Sequence, residues 1–434
     1  MSPPGRPKGE SLSAQREGSP VNIGLAPDIH GQVLLQRYAA VRRHSLALAA
    51  PLSAEDAAVQ SMPDASPVKW HLAHTAWFFE TFVLGEFARG YAPVHPRFAF
   101  LFNSYYDGVG ARHPRPQRGL LTRPSLDEVL DYRHTIDERV AELLHVPGSE
   151  AAAIHARIEL GLQHEQQHQE LILTDVLHLL SCSPLRPAYR ESGRARHAEA
   201  VAAPLRWTAF GGGVTEIGAR DAAFAFDNEM PRHRVFLEPF ALARRPVTHR
   251  EWLAFVEAGG YECSQYWLSE GWDWVQREGI AHPLYWERAA DGQWGAFGLE
   301  GFRRLPLEEP VRHVSYFEAD AYARWYAERT PGVRLPTEAE WEHAAVSGSA
   351  FDHMTDAVWQ WTSSSYAPYP GFAPGAGALG EYNGKFMVNQ YVLRGGSLAT
   401  PPGHVRPSYR NFFPATARWQ FSGVRLASSG SAPR

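Results

Sequence analysis

The sequence predicts a chain of more than one domain, a four-helix bundle followed by an α+β domain. Two observations predict it. Long segments nearly free of Gly and Pro fill the first half, and two of them carry His where a bundle would turn them inward. After about residue 203 the texture changes: Gly, Pro, Trp and Tyr rise, and short strand-like pieces replace long helices. A chain of 434 residues is long enough for two or three domains with sizeable cores.

Residues 1–32 form a polar, Pro/Gly/Ser-rich tail, expected to be disordered. From Val33 the apolar residues Leu34, Leu35, Tyr38, Val41 and Leu46 follow helical spacing. Ser53, before Ala54, Glu55 and Asp56, is an N-cap for a short helix, and Pro63 and Pro67 break the next segment. Trp70 to Phe87 reads as an apolar helix. Tyr91 to Pro124 is polar and rich in Pro and Arg, and its length favours a functional loop. Ser125 and Glu128 form a capping box for a helix through about Leu144. Ala151 to Leu180 is the fourth long helix, so the bundle is bounded at 33–185 and a linker at 186–203.

The second domain, 204–430, contains the strand-like pieces WTAFGGGVTEIG, HRVFLEPFALA, YVLRGGS and FSGVRLA. Its short helices run from Thr248 to Ala258, from Ser315 to Arg329, and after Thr337, which caps with Glu340 at the third helical position. There is no internal repeat and no Gly-rich phosphate loop; Gly211 to Gly213 reads as a tight turn.

Composition narrows the function. A net charge of −5 and a pI near 6.5 give no electrostatic case for nucleic acid or an anionic membrane. Two cysteines, Cys182 and Cys263, make neither a disulfide framework nor a Cys-rich zinc site. No apolar run approaches the ~20 residues of a membrane span, and the N-terminus lacks a signal-peptide core, so a cytoplasmic location is expected. The 14 Trp and 17 Tyr point to aromatic packing in loops, to a ligand site, or to both.

Among 20 His, only His164 and His168 stand four apart. On a helix their rings share a face and can grip one cation. A third ligand is needed, and WHLAHTAWFFE offers His71 and His74. Spacing does not choose between them, although His74 sits on the more apolar side. Three neutral imidazoles without a carboxylate suit Zn, Fe, Cu or Ni, and leave the ion its full charge to attract an anionic ligand such as a thiolate.

The segments HLAHTAWFFE, NSYYDGVG, RHPRPQRGLL, HEQQHQE and RGGSLATPPGHVRPSYRNFFPATARWQFSGVRLA, in that order, resemble the ergothioneine-biosynthesis sulfoxide synthases, a family with a selenoneine synthase branch. RLPTEAEWE and VWQWTSSSY are similar to markers of its second domain. The resemblance implies a DinB-like four-helix bundle joined to a C-type-lectin-like domain of the formylglycine-generating-enzyme type. It implies non-haem Fe(II) on His74, His164 and His168, and hercynine and O2 as substrates. The third substrate is a thiol or selenol, namely cysteine, γ-glutamylcysteine or a selenosugar, joined to the imidazole C2.

Position by position, the resemblance places Gln167 near the hercynine imidazole and Asn411, Trp419 and Phe421 in a loop approaching the iron. Aromatic faces and amide oxygens suit a quaternary ammonium. Tyr105 and Tyr106 match the active-site tyrosines, where a phenol can supply a proton and steer the reaction away from thiol dioxygenation. Arg115 and Arg118 match the arginines that take the donor's carboxylate in a guanidinium fork. One departure concerns the donor: many relatives read GGSCAT where this chain has Leu398, an apolar wall that favours a non-standard donor.

Two alternatives remain at this level. One is a formylglycine-generating-type oxidase, disfavoured because its cysteine pair is missing: Cys182 falls near the linker and Leu398 replaces a cysteine. The other is a non-enzymatic metal- or ligand-binding module. Cys263 is either a small buried apolar residue or a thiol near the site.

Overall fold

The computed structural model describes residues 29–145, 149–190, 204–220 and 224–433. The expected N-terminal tail up to residue 28 and the linker from 191 lie outside the described residues. Four long helices form the first half: α1 (Ile29–Ala49), α2 (Val68–Phe79), α3 (Leu126–Leu144) and α4 (Ala151–Ser181). Ser53 and Ser125 each close a capping box, the first on a five-residue helix and the second on α3.

Every residue of α2 is buried, which explains why its apolar residues show no clean stripe: the helix is enclosed on all sides. The single helix expected over Trp70 to Phe87 is interrupted. A π-helical turn, Glu80–Leu84, follows α2 directly. Glu80 is buried there and accepts from Tyr91 Oη (2.8 Å), Val94 N (2.7 Å) and Tyr132 Oη (2.5 Å). Wide turns of this kind recur beside functional sites.

Gly161 sets the approach of α4 to α2. A Cβ at that position would lie 2.5 Å from the Phe79 ring, so any larger residue would force the two helices apart. None of the described helices is long and apolar enough to cross a membrane.

The second domain is loop-rich. One sheet orders its strands β1 (Trp207–Phe210), β4 (Phe240–Ala243), β13 (Ala427–Ser429) and β8 (Val333–Arg334). Its last strand thus pairs with an early one, Ala427 opposite Leu242. A second sheet orders β11 (Asn411–Pro414), β10 (Gln390–Gly395), β9 (Trp359–Ser365) and β12 (Ser422–Gly423). The hairpin of β2 (Gly213–Ile217) and β3 (His233–Leu237) stands apart.

Thr248, Ser315 and Thr337 each cap a helix with the Glu three residues later, at the places the sequence predicts. Two features went unanticipated: the helix Ser269–Glu278, and a three-stranded sheet of β5 (Trp286–Arg288), β6 (Trp294–Gly298) and β7 (Gly301–Arg304). Both lie in Trp- and Gly-rich sequence that reads as loop.

With so much irregular backbone, buried arginines satisfy the carbonyls that regular structure does not. Arg394 Nη1 donates to Pro407 O (2.9 Å), and Arg425 reaches Ala243 O (2.8 Å) and Asp352 O (2.7 Å). Arg394 and Arg410 share the carboxylate of Glu338, each at 2.9 Å.

Candidate metal centre

His74 comes from the middle of α2, His164 and His168 from one face of α4, and all three are buried. His164 Nε2 lies 3.2 Å from His74 Nε2 and 3.1 Å from His168 Nε2. One ligand atom from each of the three fits within a 4.8 Å span. Metal–nitrogen bonds of about 2.1 Å bridge separations of this size.

The tautomers agree with a metal site. His74 Nδ1 is 2.6 Å from Phe102 O, a carbonyl that only accepts, so Nδ1 carries the proton and Nε2 the lone pair. His168 Nδ1 is 2.8 Å from His71 Nδ1, and His71 Nε2 is 3.0 Å from Asp175 Oδ2. The carboxylate holds the His71 proton on Nε2. His71 Nδ1 then accepts from His168, whose Nε2 is left bare. Burial pushes His74 and His168 well below the usual imidazole range and His164 down to about 3, so all three are neutral at neutral pH.

His164 Nδ1 has no hydrogen-bond partner among the described residues. The bare Nε2 atoms of His74 and His168 both face His164 Nε2, an arrangement that suits a cation ligated by all three. The donor set therefore fits a metal of the kind that binds neutral imidazoles. The geometry also settles which of the two α2 histidines converges with the pair on α4. His74 does, and His71 stands behind His168.

The surroundings are aromatic on one side and ionic on the other. Trp70 stacks on His74 (4.6 Å between centroids, 10°), and the Arg118 guanidinium lies 3.4 Å from the Trp70 centroid. Behind α4, Glu165 accepts from Ser45 Oγ (2.6 Å), Arg42 Nη1 (2.9 Å) and Arg133 Nη2 (2.8 Å). Burial raises the Glu165 pKa, but Arg42 and Arg133 outweigh it and hold the carboxyl down to about 2.

The second domain closes over the exposed side of α4. Gln167 Nε2 donates to Tyr409 Oη, and its Oε1 accepts from Tyr382 Oη. The Tyr382 ring is 5.6 Å from that of His164. Glu170 accepts from Trp359 Nε1 (2.7 Å), Ser397 Oγ (2.6 Å) and Thr400 Oγ1 (2.7 Å), locking the GGSLAT loop to the helix that carries His164 and His168.

Tyr382 was not among the sequence candidates. The tyrosines that were stand further back. Tyr106 is fully buried against Phe82 and Trp77, and Tyr105 stacks on Tyr106 at 4.7 Å and approaches Tyr382 at 6.2 Å.

The remaining candidates divide. Arg118 is buried and donates to Ser66 Oγ (2.9 Å), whereas Arg115 is exposed and donates to Asp64 O. Asn411 sits on β11 with its own Oδ1 accepting from Phe412 N (2.9 Å). Trp419 and Phe421 have their ring contacts away from the histidine cluster: Trp419 is edge-on to Phe413 (6.0 Å), and Phe421 packs on His313 (4.9 Å) beside a separate cavity. The chain bends after β11, so neighbours in sequence face different spaces. Leu398 lines that separate cavity too. Cys263 is half-buried and Cys182 exposed.

Known proteins match both halves. Residues 37–172 match the family model described as the DinB superfamily, and 206–356 with 351–429 match the Sulfatase-modifying factor enzyme 1-like domain. The chain is 33% identical over 410 residues to a hercynine oxygenase of Mycobacterium tuberculosis, covering 84% of this chain and 91% of that protein. To a hercynine oxygenase of Mycolicibacterium smegmatis it is 31% identical over 420 residues, covering 85% and 92%. To a formylglycine-generating enzyme of Thermomonospora curvata it is 36% identical over 152 residues, which is 32% of this chain and 47% of that protein. A DinB-like bundle and a C-type-lectin-like domain of the formylglycine-generating-enzyme type, matched together along most of the length, place the chain in the hercynine oxygenase family.

Proposed function

We propose that this oxygenase forms a carbon–chalcogen bond at C2 of the hercynine imidazole, with Fe(II) on His74, His164 and His168, O2 as oxidant and a thiol or selenol as donor. The observation that carries the reading is the convergence of three buried, neutral imidazoles through Nε2 beneath a wall of phenols. For a thiol the balance is simple. One C–H and one S–H bond break, a C–S and an S–O bond form, and the second oxygen atom leaves as water. Bound Fe(II) supplies the redox chemistry that O2 requires and a position for a soft anion.

The chain's own groups supply orientation and protons. Gln167 is fixed at both ends, by Tyr382 and Tyr409, and so presents its carboxamide in one orientation to the hercynine imidazole. Burial, reinforced by Tyr105 and Tyr409, holds Tyr382 well above the usual phenol range, so its proton stays on Oη until a stronger base forms nearby. Its ring stands 5.6 Å from that of His164, and on that proximity we assign Tyr382, ahead of Tyr105 or Tyr106, as proton donor.

Arg118 suits the donor's anionic group. It lies against Trp70 with Nε unpartnered, and no carboxylate pairs with it among the described residues. Burial and the charge of Arg115 both weaken its hold on its own proton, which an incoming carboxylate would reverse.

The test is a competition. Fe(II)-loaded protein, hercynine and O2 are supplied with cysteine, γ-glutamylcysteine and a selenosugar together, and products are read by mass spectrometry. An adduct at C2 with one donor supports the proposal and names the donor. Unconsumed hercynine in every mixture sinks it. Arg118→Leu should raise the KM for a carboxylate-bearing donor and leave Fe(II) binding alone.

A further inference from the structure

A cavity of about 50 Å³ opens inside the second domain, apart from the three histidines. Four of the polar side chains that line it each hold at least one buried atom without a hydrogen-bond partner. His249 has none at either ring nitrogen, and His313 lacks one at Nδ1, Tyr285 at Oη and Trp286 at Nε1. All four residues are more than nine-tenths buried, at 2%, 6%, 8% and 1% exposure. Polar groups in a folded interior are nearly always satisfied, so four orphans around one small space point to an occupant.

The backbone is constrained at the same place. Tyr285 (φ 70°) and His313 (φ 62°) both sit in the left-handed region, which bulky side chains avoid. Leu284 N donates to His313 O (3.1 Å), joining the two segments.

The electrostatics select the ligand. Arg303 and Arg312 also line the cavity, and both reach one carboxylate, Glu309, at 3.5 and 2.6 Å. Glu300, the acidic residue of the lining, is exposed, and its charge acts on Arg312 together with that of Glu309. Burial first, and then the Arg312 charge, drives both imidazoles down, His313 to about 3. They remain neutral hydrogen-bonding groups beside two guanidinium groups. Leu398 and Phe421 supply an apolar wall.

We propose that this cavity binds the carboxylate of a small organic monoanion, with Arg312 and Arg303 supplying charge, Tyr285 and Trp286 donating hydrogen bonds, and the apolar wall receiving the attached carbon chain. At about 50 Å³ the inner space has room for a small carboxylate. The site lies outside the reaction centre and stands whether or not the proposed reaction does.

The probe is sodium acetate, then propionate, titrated into the intact protein against sodium chloride and sodium phosphate at constant ionic strength. Calorimetry and tryptophan fluorescence give the readout. An Arg118→Leu background removes any carboxylate bound near Trp70. Saturable acetate binding is expected, weakened about tenfold in Arg312→Gln and about threefold in Tyr285→Phe. Leu398→Trp, a change at a residue 44% exposed, should block it by filling the wall. If Arg312→Gln fails to fold by circular dichroism, the other two variants decide. An acetate response no larger than that of chloride overturns the proposal, as does binding indifferent to every variant. Saturable phosphate binding that acetate does not displace would overturn the carboxylate assignment.

Discussion

Tyr382 and Gln167, 215 positions apart in the chain, meet across the boundary between the two domains: the phenol donates to the carboxamide Oε1 and its ring stands 5.6 Å from that of His164. The bundle supplies the imidazoles and the second domain supplies the phenol, so neither half alone makes the site.

Replacing Tyr382 by Phe removes the proton but keeps the ring. Carbon–chalcogen bond formation should fall by about 100-fold or more, with donor oxidation such as sulfinate taking its share of O2. Tyr105→Phe and Tyr106→Phe should shift the product ratio less, and all three variants should bind the metal normally. Chromatography of products from hercynine and the preferred donor checks this; equal ratios in wild type and Tyr382→Phe would remove the phenol from the mechanism.

His71 fixes the tautomer of His168 and is itself fixed by Asp175. His71→Phe should weaken metal binding by about 10- to 100-fold without removing a ligand. Asp175→Asn should act in the same direction with a smaller effect. Competition with a chelator of known affinity measures both.

Glu165 anchors Arg42 and Arg133 behind the helix that carries His164 and His168. Removing the carboxylate in Glu165→Leu leaves two buried guanidinium groups short of a partner, and should cost about 3–5 kcal/mol. Its folded pKa, about 2, is below the unfolded value of 4.5. The stabilisation is therefore fully present above about pH 4.5 and is lost as pH falls toward 2. Urea unfolding across that range should show wild type losing its advantage over Glu165→Leu at the acid end.

Buried histidines add a second acid-sensitive element. His164, His313 and His404 are each held near 3 by burial, against 6.5 when unfolded. Between those values the unfolded chain binds more protons, so stability falls as pH drops from about 6.5 toward 3. In metal-free protein the thermal midpoint should fall steadily over this interval. A flat profile from pH 6.5 to 4.5 would contradict the burial of these rings.

Much of the bundle could be read beforehand because its signals are local. Ser53 and Ser125 announce helix starts by a hydrogen bond three residues long, and the four-residue spacing of His164 and His168 is one helical turn. The choice of His74 over His71 was not local, since it depends on how α2 meets α4 at Phe79 and Gly161. Tyr382 was hidden for a related reason. It follows a short turn of 3₁₀-helix, where no periodicity marks an inward side chain, and its partner is in another domain. Trp419 and Phe421 illustrate the converse: aromatic residues close in sequence face different spaces once the strand ends.

The most direct measurement is hercynine turnover by Fe(II)-loaded wild type and His164→Ala, with O2 and mixed thiol and selenol donors, alongside anaerobic Fe(II) titration of both. The account predicts one tight Fe(II) site and a C2 adduct in wild type, and neither in His164→Ala. Wild-type protein that binds one Fe(II) tightly yet leaves hercynine untouched, or a variant that still makes the adduct, would contradict it.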